Sequence, residues 1–295
     1  MDAIRTIAIM LHKRQRRAPA TNYRIWALAE NWKRWGLKVE LIWGPAREID
    51  ADLLIPHVDV SVIPDRYWEA MQRHPRVVNR RVRDIRKTVY SKGVLIPSSD
   101  WKGPVIVKTV FNSGGGWDAA LARPPARPTR WRRMKRRLLE SPWVERRRLG
   151  HAASLRRYYI FRSLDHVPRK VFDNPALFVE RFVPERHGAE YVMRMLIVFG
   201  DQWSGRMLVG ADPFVKDRNS RLLDLHEVPA EVAAQRIELG VDYGKLDYVM
   251  HDGVPVLLDV NITPTLSGPI TEEKINQSAE LARGLRCFGS VSAQG

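Results

Sequence analysis

Residues 243–264 read YGKLDYVMHDGVPVLLDVNITP. Two apolar-rich runs, Tyr243 to Met250 and Val254 to Val260, flank Asp252-Gly253. Both turn residues tolerate the positive φ that a type I′ turn demands, so the stretch predicts a β-hairpin. A two-residue turn sets Asp247 across from Leu258 and diagonal to Asp259. Asp259 and Asn261 are two positions apart and project from one face of their strand. Asp247, Asp259 and Asn261 then offer three oxygen ligands over a small area. Such hard donors suit Mg2+, which keeps several waters and takes further contacts from phosphates. The competing reading is a polar turn ahead of Pro264, the commoner meaning of a bare Asp-x-Asn.

Upstream, Glu190 to Phe199 and Gln202 to Gly210 are separated by Gly200-Asp201, a second hairpin signal that extends the antiparallel pattern. Arg194 stands in the apolar run YVMRMLIVFG and needs an anion or a carboxylate, with bidentate phosphate contact a natural use; an outward-facing arginine is an even alternative. Arg206 and Lys216 raise the same question more weakly. Ala176 to Val183 is a strand closed by Pro184, and it carries Glu180. Its backbone can serve an adenine edge, although an ordinary edge strand explains it as well. Pro104 to Thr109 is a strong strand with Lys108 embedded in it. Burying an unpaired ammonium is costly, so Lys108 should reach an anion unless it snorkels to water from a sheet edge. The run Asn112 to Gly116 (NSGGG) follows and can bring backbone N–H groups to phosphates. It is not a Walker A loop, since no Gly-Lys-Ser/Thr follows.

At the other end of the chain, Thr6 to Leu11 reads as a buried strand. Tyr23 to Trp35 places Ile25, Leu28, Ala29, Trp32 and Trp35 at helical spacing, with Gly36 as the stop. Leu37 to Trp43 alternates as a second strand, and strand, helix, strand implies a parallel βαβ unit. Asp65 opens a helix through Met71, and Val77 to Val94, with its alternating charges, predicts another. Glu231 to Leu239 and Ile270 to Leu285 predict the last two helices. The organisation is therefore an α/β (α+β) chain with an N-terminal α/β domain at 1–97, a central region at 98–183 and a C-terminal region at 184–295.

The 295 residues carry 44% hydrophobic content, enough to bury a sizeable core in two or three subdomains. No apolar run reaches the roughly 18 residues of a membrane span, and the first ten residues lack a signal-peptide pattern. A cytoplasmic location is the expectation. One cysteine, Cys287, excludes an intrachain disulfide framework. Net charge is +16, and the stretch 122–170 alone holds 16 Arg and Lys against three acids. The excess thus belongs to one segment, an Arg-rich insert at about 122–157, rather than to the whole fold. Trp131 and Trp143 lie among its arginines, which opens a nucleic-acid reading by base stacking; a solvated basic helix is the plainer one.

The order of these features resembles the ATP-grasp superfamily over residues 78–268. Val105-Ile106-Val107-Lys108-Thr109 is similar to its nucleotide-lysine strand, Asn112 to Gly116 to its glycine loop, and Leu177 to Val183 to its adenine hinge. Gly244 to Asp247 and Leu257 to Pro264 are similar to its metal-binding hairpin, and Asp84-Ile85-Arg86-Lys87 to a helix that supplies a second phosphate lysine. The first region resembles the pre-ATP-grasp domain. The resemblance implies ATP and Mg2+ as cofactors. It implies that Lys108 and Lys87 neutralise phosphates with Ser113, Gly114 and Gly115 alongside. Glu180 with the backbone near Phe182 and Val183 would bind adenine, and Glu185 or His187 the ribose. Asp247, Asp259 and Asn261 would hold Mg2+, and Arg194 would stabilise the transferring phosphoryl group or an acyl phosphate. One departure is the bridging ligand, commonly Glu in the family and here Asp259, whose shorter arm bears on whether one metal or two are held. The reaction implied joins a small-molecule or peptide carboxylate to an amine through an acyl phosphate. Kinase chemistry or ATP binding without ligation fits the same fold, and a homodimer is common in the family.

Overall fold

The computed structural model describes residues 3–17, 22–116, 118–119, 149–155, 157–216 and 219–291. The Arg-rich stretch 122–148, with Trp131 and Trp143, lies outside the described residues. The chain divides into two compact units. Unit 1 joins Met1–Asp84 to Pro184–Gly295, and unit 2 is Ile85–Val183.

Unit 1 opens with the predicted βαβ pattern. Strand β1 (Thr6–Leu11) pairs in parallel with β2 (Lys38–Trp43) on one side and β3 (Leu53–His57) on the other. Helix α1 (Arg24–Arg34) makes the first crossover. Its apolar residues recur at i, i+3, i+4 and i+7 (Ile25, Leu28, Ala29, Trp32), and all four are buried. The helix stops at Gly36, whose φ of 83° lies in the left-handed region. Helix α2 (Asp65–Arg73) follows where Asp65 predicts it.

Val77 to Val94 does not form the helix its charge pattern predicts. Asn79 takes a left-handed φ of 57° and is buried. Its amide donates to the Tyr243 carbonyl at 2.7 Å, and its Oδ1 accepts from the N–H groups of Asp242 and Tyr243 at 2.7 and 2.9 Å. These tertiary bonds replace the local ladder a helix would have made. The one helical turn in this stretch is α3 (Lys87–Tyr90), in unit 2.

The second part of unit 1 is the antiparallel sheet expected from the alternating runs. Strands β9 (Glu190–Phe199) and β10 (Gln202–Gly210) form its first hairpin, and β12 (Tyr243–His251) and β13 (Val254–Asn261) its second. The order is β11-β10-β9-β12-β13, with β11 at Arg221–Asp224 and β8 (Glu185–His187) also on β9. Helix α4 (Ala230–Leu239) lies between the hairpins and ends at Gly240. The predicted helix from Ile270 to Leu285 is instead two short ones, α5 (Glu272–Gln277) and α6 (Ala279–Arg283). The break falls at Ser278, whose hydroxyl donates to the Lys274 carbonyl at 2.8 Å and competes with the helical ladder.

The two ends of the chain share a single core. Ile7, Ile9, Leu28, Trp32 and Leu53 from the parallel sheet and α1 pack with Ile197, Phe199 and Tyr243 from the antiparallel sheet and Leu281 and Leu285 from the tail. The Trp32 indole donates to the Ala282 carbonyl at 3.0 Å.

Unit 2 is a four-stranded antiparallel sheet of order β4-β7-β5-β6. Its strands are β4 (Val94–Leu95), β5 (Val105–Thr109), β6 (Tyr159–Phe161) and β7 (Leu177–Arg181). Residues 85–97, placed with the N-terminal region by sequence, lie in this unit because β4 pairs with β7. Its own core includes Val105, Val107, Leu149, Phe161, Val171 and Val179.

Candidate functional site

The hairpin β12–β13 closes as its turn residues predict. His251 pairs with Val254, and Asp252 and Gly253 hold φ of 49° and 78°. From His251 back to Tyr248 the register follows the two-residue turn, with Tyr248 opposite Leu257. The predicted pairing of Asp247 with Leu258 then fails. The register shifts between Asp247 and Tyr248, and Asp247 lies directly opposite Asp259. The extra residue is Leu258, a β-bulge. Facing residues of an antiparallel pair share a side of the sheet, and a shift of one flips the side. Without the bulge Asp259 would oppose Leu246 and leave Asp247's face. With it, Lys245 opposite Asn261 and Asp247 opposite Asp259 form one continuous polar patch.

Within that patch the Lys245 ammonium meets Asp247 Oδ2 at 2.5 Å, with side-chain exposures of 21% and 9%. Asp259 and Asn261 are half-buried. Asn261 Oδ1 accepts from the Thr263 N–H at 2.8 Å and lies 3.1 Å from the Thr263 hydroxyl. That hydroxyl lies 2.8 Å from Asp59 Oδ1, just beyond β3. The segment after the hairpin is tied down by backbone bonds from Arg24 to Pro264 (2.8 Å) and from Leu266 to Asn22 (2.6 Å). Among the described residues no group of three or more His, Cys, Asp or Glu side chains gathers for a metal. The set at the hairpin is two carboxylates and an amide oxygen. Its hard-oxygen chemistry fits Mg2+, which fills its remaining positions with water or phosphate, and Asp247 Oδ2 already accepts a hydrogen bond from the Lys245 ammonium.

Arg194 does not reach this face. It pairs with Tyr248 across β9 and β12, while Asp247 pairs with Met195. Adjacent residues of a strand point to opposite sides, so Arg194 and the carboxylates are on different faces. The guanidinium instead forks onto Glu185, with Nε at 3.1 Å from both oxygens and Nη2 at 2.7 Å from Oε1. Those bonds raise the Arg194 pKa above its already high value. Glu185 Oε2 also accepts from the Met250 N–H at 2.7 Å, which occupies it structurally. His187 is exposed on β8. Arg206 forms an exposed ion pair with Asp224, and Lys216 is exposed.

In unit 2, Lys108 and Glu180 face each other from β5 and β7. The ammonium sits 2.7 Å from Glu180 Oε2, with side-chain exposures of 6% and 3%, so the buried lysine finds its anion inside the sheet. The Ser91 hydroxyl donates to Glu180 Oε1 at 2.5 Å, and the Tyr158 ring lies 5.9 Å from the ammonium. Lys87 is buried, with Nζ 3.0 Å from Asn112 Oδ1 and 3.3 Å from the Phe111 carbonyl. The Phe182 N–H donates to the Pro104 carbonyl at 2.9 Å, which removes it from the adenine-facing donors expected near Val183. The glycine run is a 3-10 turn at Asn112–Gly115, of which Ser113 is described in backbone only. Gly114 has φ 67°, and a Cβ there would sit 2.1 Å from the Leu155 carbonyl oxygen. Both its conformation and its packing therefore require glycine.

Sequence reasoning missed Lys245, Thr263, Asp59 and Ser91. Lys245 had a usable signal, since it stands two residues before Asp247 and strand alternation puts the two on one side. Asp59 and Ser91 had none, because each meets its partner through tertiary structure.

No protein-family model matches the sequence, and no curated protein does. Among solved structures, the chain is similar to the D-cycloserine synthetase DcsG at 13% identity, over 95% of this chain and 98% of that one, with a TM-score of 0.52. It is also similar to the ATP-grasp ligase PsnB, solved with a phosphomimetic variant of its minimal precursor, Mg and ADP. That match has 10% identity over 96% of this chain and 100% of that one, with a TM-score of 0.51. The mixed α/β architecture matches that of these solved structures. The chain has the ATP-grasp fold along nearly its whole length.

Proposed function

We propose that this chain is an ATP- and Mg2+-dependent ligase that activates a carboxylate as an acyl phosphate for attack by an amine. The observation that carries the reading is the single face of β12–β13 on which Lys245, Asp247, Asp259 and Asn261 meet. In an ATP-grasp fold, a patch with two carboxylates, one amide and one ammonium suits a metal–polyphosphate substrate. Phosphoryl transfer asks mainly for charge neutralisation and alignment. Asp247, Asp259 and Asn261 would hold Mg2+, which supplies charge neutralisation to phosphate oxygens when bound. Lys245, rather than Arg194, is the cation placed to stabilise charge on the transferring group. Lys87 neutralises phosphates, with the turn of Ser113, Gly114 and Gly115 alongside, and Lys108 joins it when nucleotide draws its ammonium off Glu180. Glu180 and the backbone at Val183 serve adenine. His187 is the group left for the ribose, since Glu185 is held by Arg194. The carboxylate and amine belong to a peptide or a small molecule.

The test is release of ADP and phosphate across pools of carboxylates and amines with Mg2+ present. Asp259→Ala is expected to lower turnover by at least about 100-fold, the scale of losing one electrostatic stabiliser, with its melting temperature unchanged. Full turnover by that variant would remove the metal assignment. A phosphorylated product with no amide would replace ligation by kinase chemistry.

A further inference from the structure

Thr263 is buried, and its hydroxyl has two oxygens in reach, Asp59 Oδ1 at 2.8 Å and Asn261 Oδ1 at 3.1 Å. A hydroxyl donates one proton. An ionised carboxylate is a stronger acceptor than an amide carbonyl. The Asp59 oxygens each meet a hydroxyl, Oδ1 that of Thr263 and Oδ2 that of Tyr23 at 2.7 Å, which is the arrangement of an ionised carboxylate. The Thr263 proton therefore goes to Asp59. Its contact with Asn261 is then oxygen against oxygen, and Asn261 Oδ1 keeps the Thr263 N–H as its donor from that residue. An amide oxygen has two lone pairs, so this one retains acceptor capacity that a cation would satisfy.

The carboxylate is itself held from further back. Gln15 Nε2 donates to the Tyr23 hydroxyl at 3.0 Å, and Gln15 Oε1 accepts from the His12 N–H at 2.6 Å. A continuous series of hydrogen bonds thus runs from the end of β1 through Gln15, Tyr23, Asp59 and Thr263 to Asn261, all within unit 1. We infer that Asp59 and Thr263 are positioning residues that hold the amide oxygen of Asn261 as a cation ligand: the Asp59–Thr263 bond anchors the residue whose N–H fixes that oxygen, and it keeps the hydroxyl proton off it. The inference rests on the Mg2+ reading above. It adds that the ligand set is completed from the N-terminal α/β region, through residues that touch no metal.

The test uses Mn2+ as the divalent probe, titrated into the full chain with saturating ADP and followed by electron paramagnetic resonance. Partners behind a ligand typically control affinity by about 10- to 100-fold. Thr263→Val and Asp59→Asn are each expected to weaken Mn2+ binding by about tenfold. Thr263→Ser keeps the hydroxyl and stays within about threefold of the parent. ADP affinity without metal should be the same in all variants, which a general loss of structure would not allow. If Asp259→Ala loses Mn2+ while Thr263→Val and Asp59→Asn bind it like the parent, the positioning roles are wrong and the metal site stands. If Asp259→Ala itself binds Mn2+ like the parent, the metal reading has failed. Should Asp59→Asn not fold, Thr263→Val against Thr263→Ser decides.

Discussion

Lysine and carboxylate meet on strands β5 and β7 of unit 2 and on the β12–β13 hairpin of unit 1, and these two clusters are finished in different ways. Lys108 and Glu180 in unit 2 are closed on each other, with side-chain exposures of 6% and 3%. One positive charge meets one negative charge, and Ser91 and Tyr158 complete the surroundings. In unit 1 Lys245 meets Asp247 with more exposure, and Asp259 faces them across the ladder. Here Asp247 and Asp259 share one face with the Lys245 ammonium. The closed pair is matched in charge and dry. The open cluster is acid-rich and partly solvated, which is what a divalent cation requires of its site.

Breaking the closed pair should have the largest effect. Glu180→Ala leaves a buried ammonium without its anion, and loss of about 3–5 kcal/mol of stability is expected by denaturant unfolding. Replacing both partners with Lys108→Met and Glu180→Leu should return most of that stability, since apolar pairs of similar volume often serve as well. Equal stability of Glu180→Ala and the parent would show that the pair is not dry.

The next test uses a buried group with no ion beside it. His57 is fully buried, neither ring nitrogen has a hydrogen-bond partner among the described residues, and burial depresses its pKa to about 3. The unfolded chain binds a proton at His57 below about pH 6.5, whereas the folded chain resists it down to about pH 3. Stability is thus fully present above pH 6.5 and falls on acidification through that window, by up to about 1.4 kcal/mol per pH unit. In His57→Phe the melting temperature between pH 6.5 and 4 should depend less on pH. An unchanged profile would mean that His57 does not resist protonation.

The smallest stability effect belongs to the open cluster. Lys245→Met should shift stability by less than about 1 kcal/mol, as for a partly exposed ion pair. The same change raises the local negative charge, so Mn2+ binding without nucleotide should tighten. If Lys245→Met costs as much as Glu180→Ala, the contrast between the two clusters does not hold.

Much of this was legible in the sequence because strands and turns announce themselves locally. Asp252-Gly253 gave the turn, and alternation gave β9, β10, β12 and β13. Lys108, alone in an apolar strand, gave a buried cation needing an anion, though its partner Glu180 could be found only by pairing β5 with β7. The bulge was not legible. Leu257 and Leu258 are both apolar, so neither register offends the hydrophobic pattern. Val77 to Val94 misled because its charge spacing suits a helix, while the four hydrogen bonds between Asn79 and Asp242–Tyr243 come from far along the chain. Arg194 misled for a related reason: its need for an anion was read correctly, and Glu185, only nine residues earlier, meets it.

Leu258 gives the hairpin a reading frame. From Asp259 to Asn261 the strand keeps its phase because the bulge absorbs the one residue by which β13 exceeds β12. Inserting one residue after Leu258 would leave composition, charge and turn almost untouched, yet with the same single bulge it would set Asp259 against Leu246 and put Asp247 and Asp259 on opposite sides of the sheet, with Asn261 following the latter; deleting Leu258 would leave a plain ladder with Asp247 still opposite Asp259. The tip at Asp252-Gly253 could be lengthened by matched pairs without consequence. At this place the chain tolerates matched pairs at the tip and the loss of the extra residue, and is broken by one residue more.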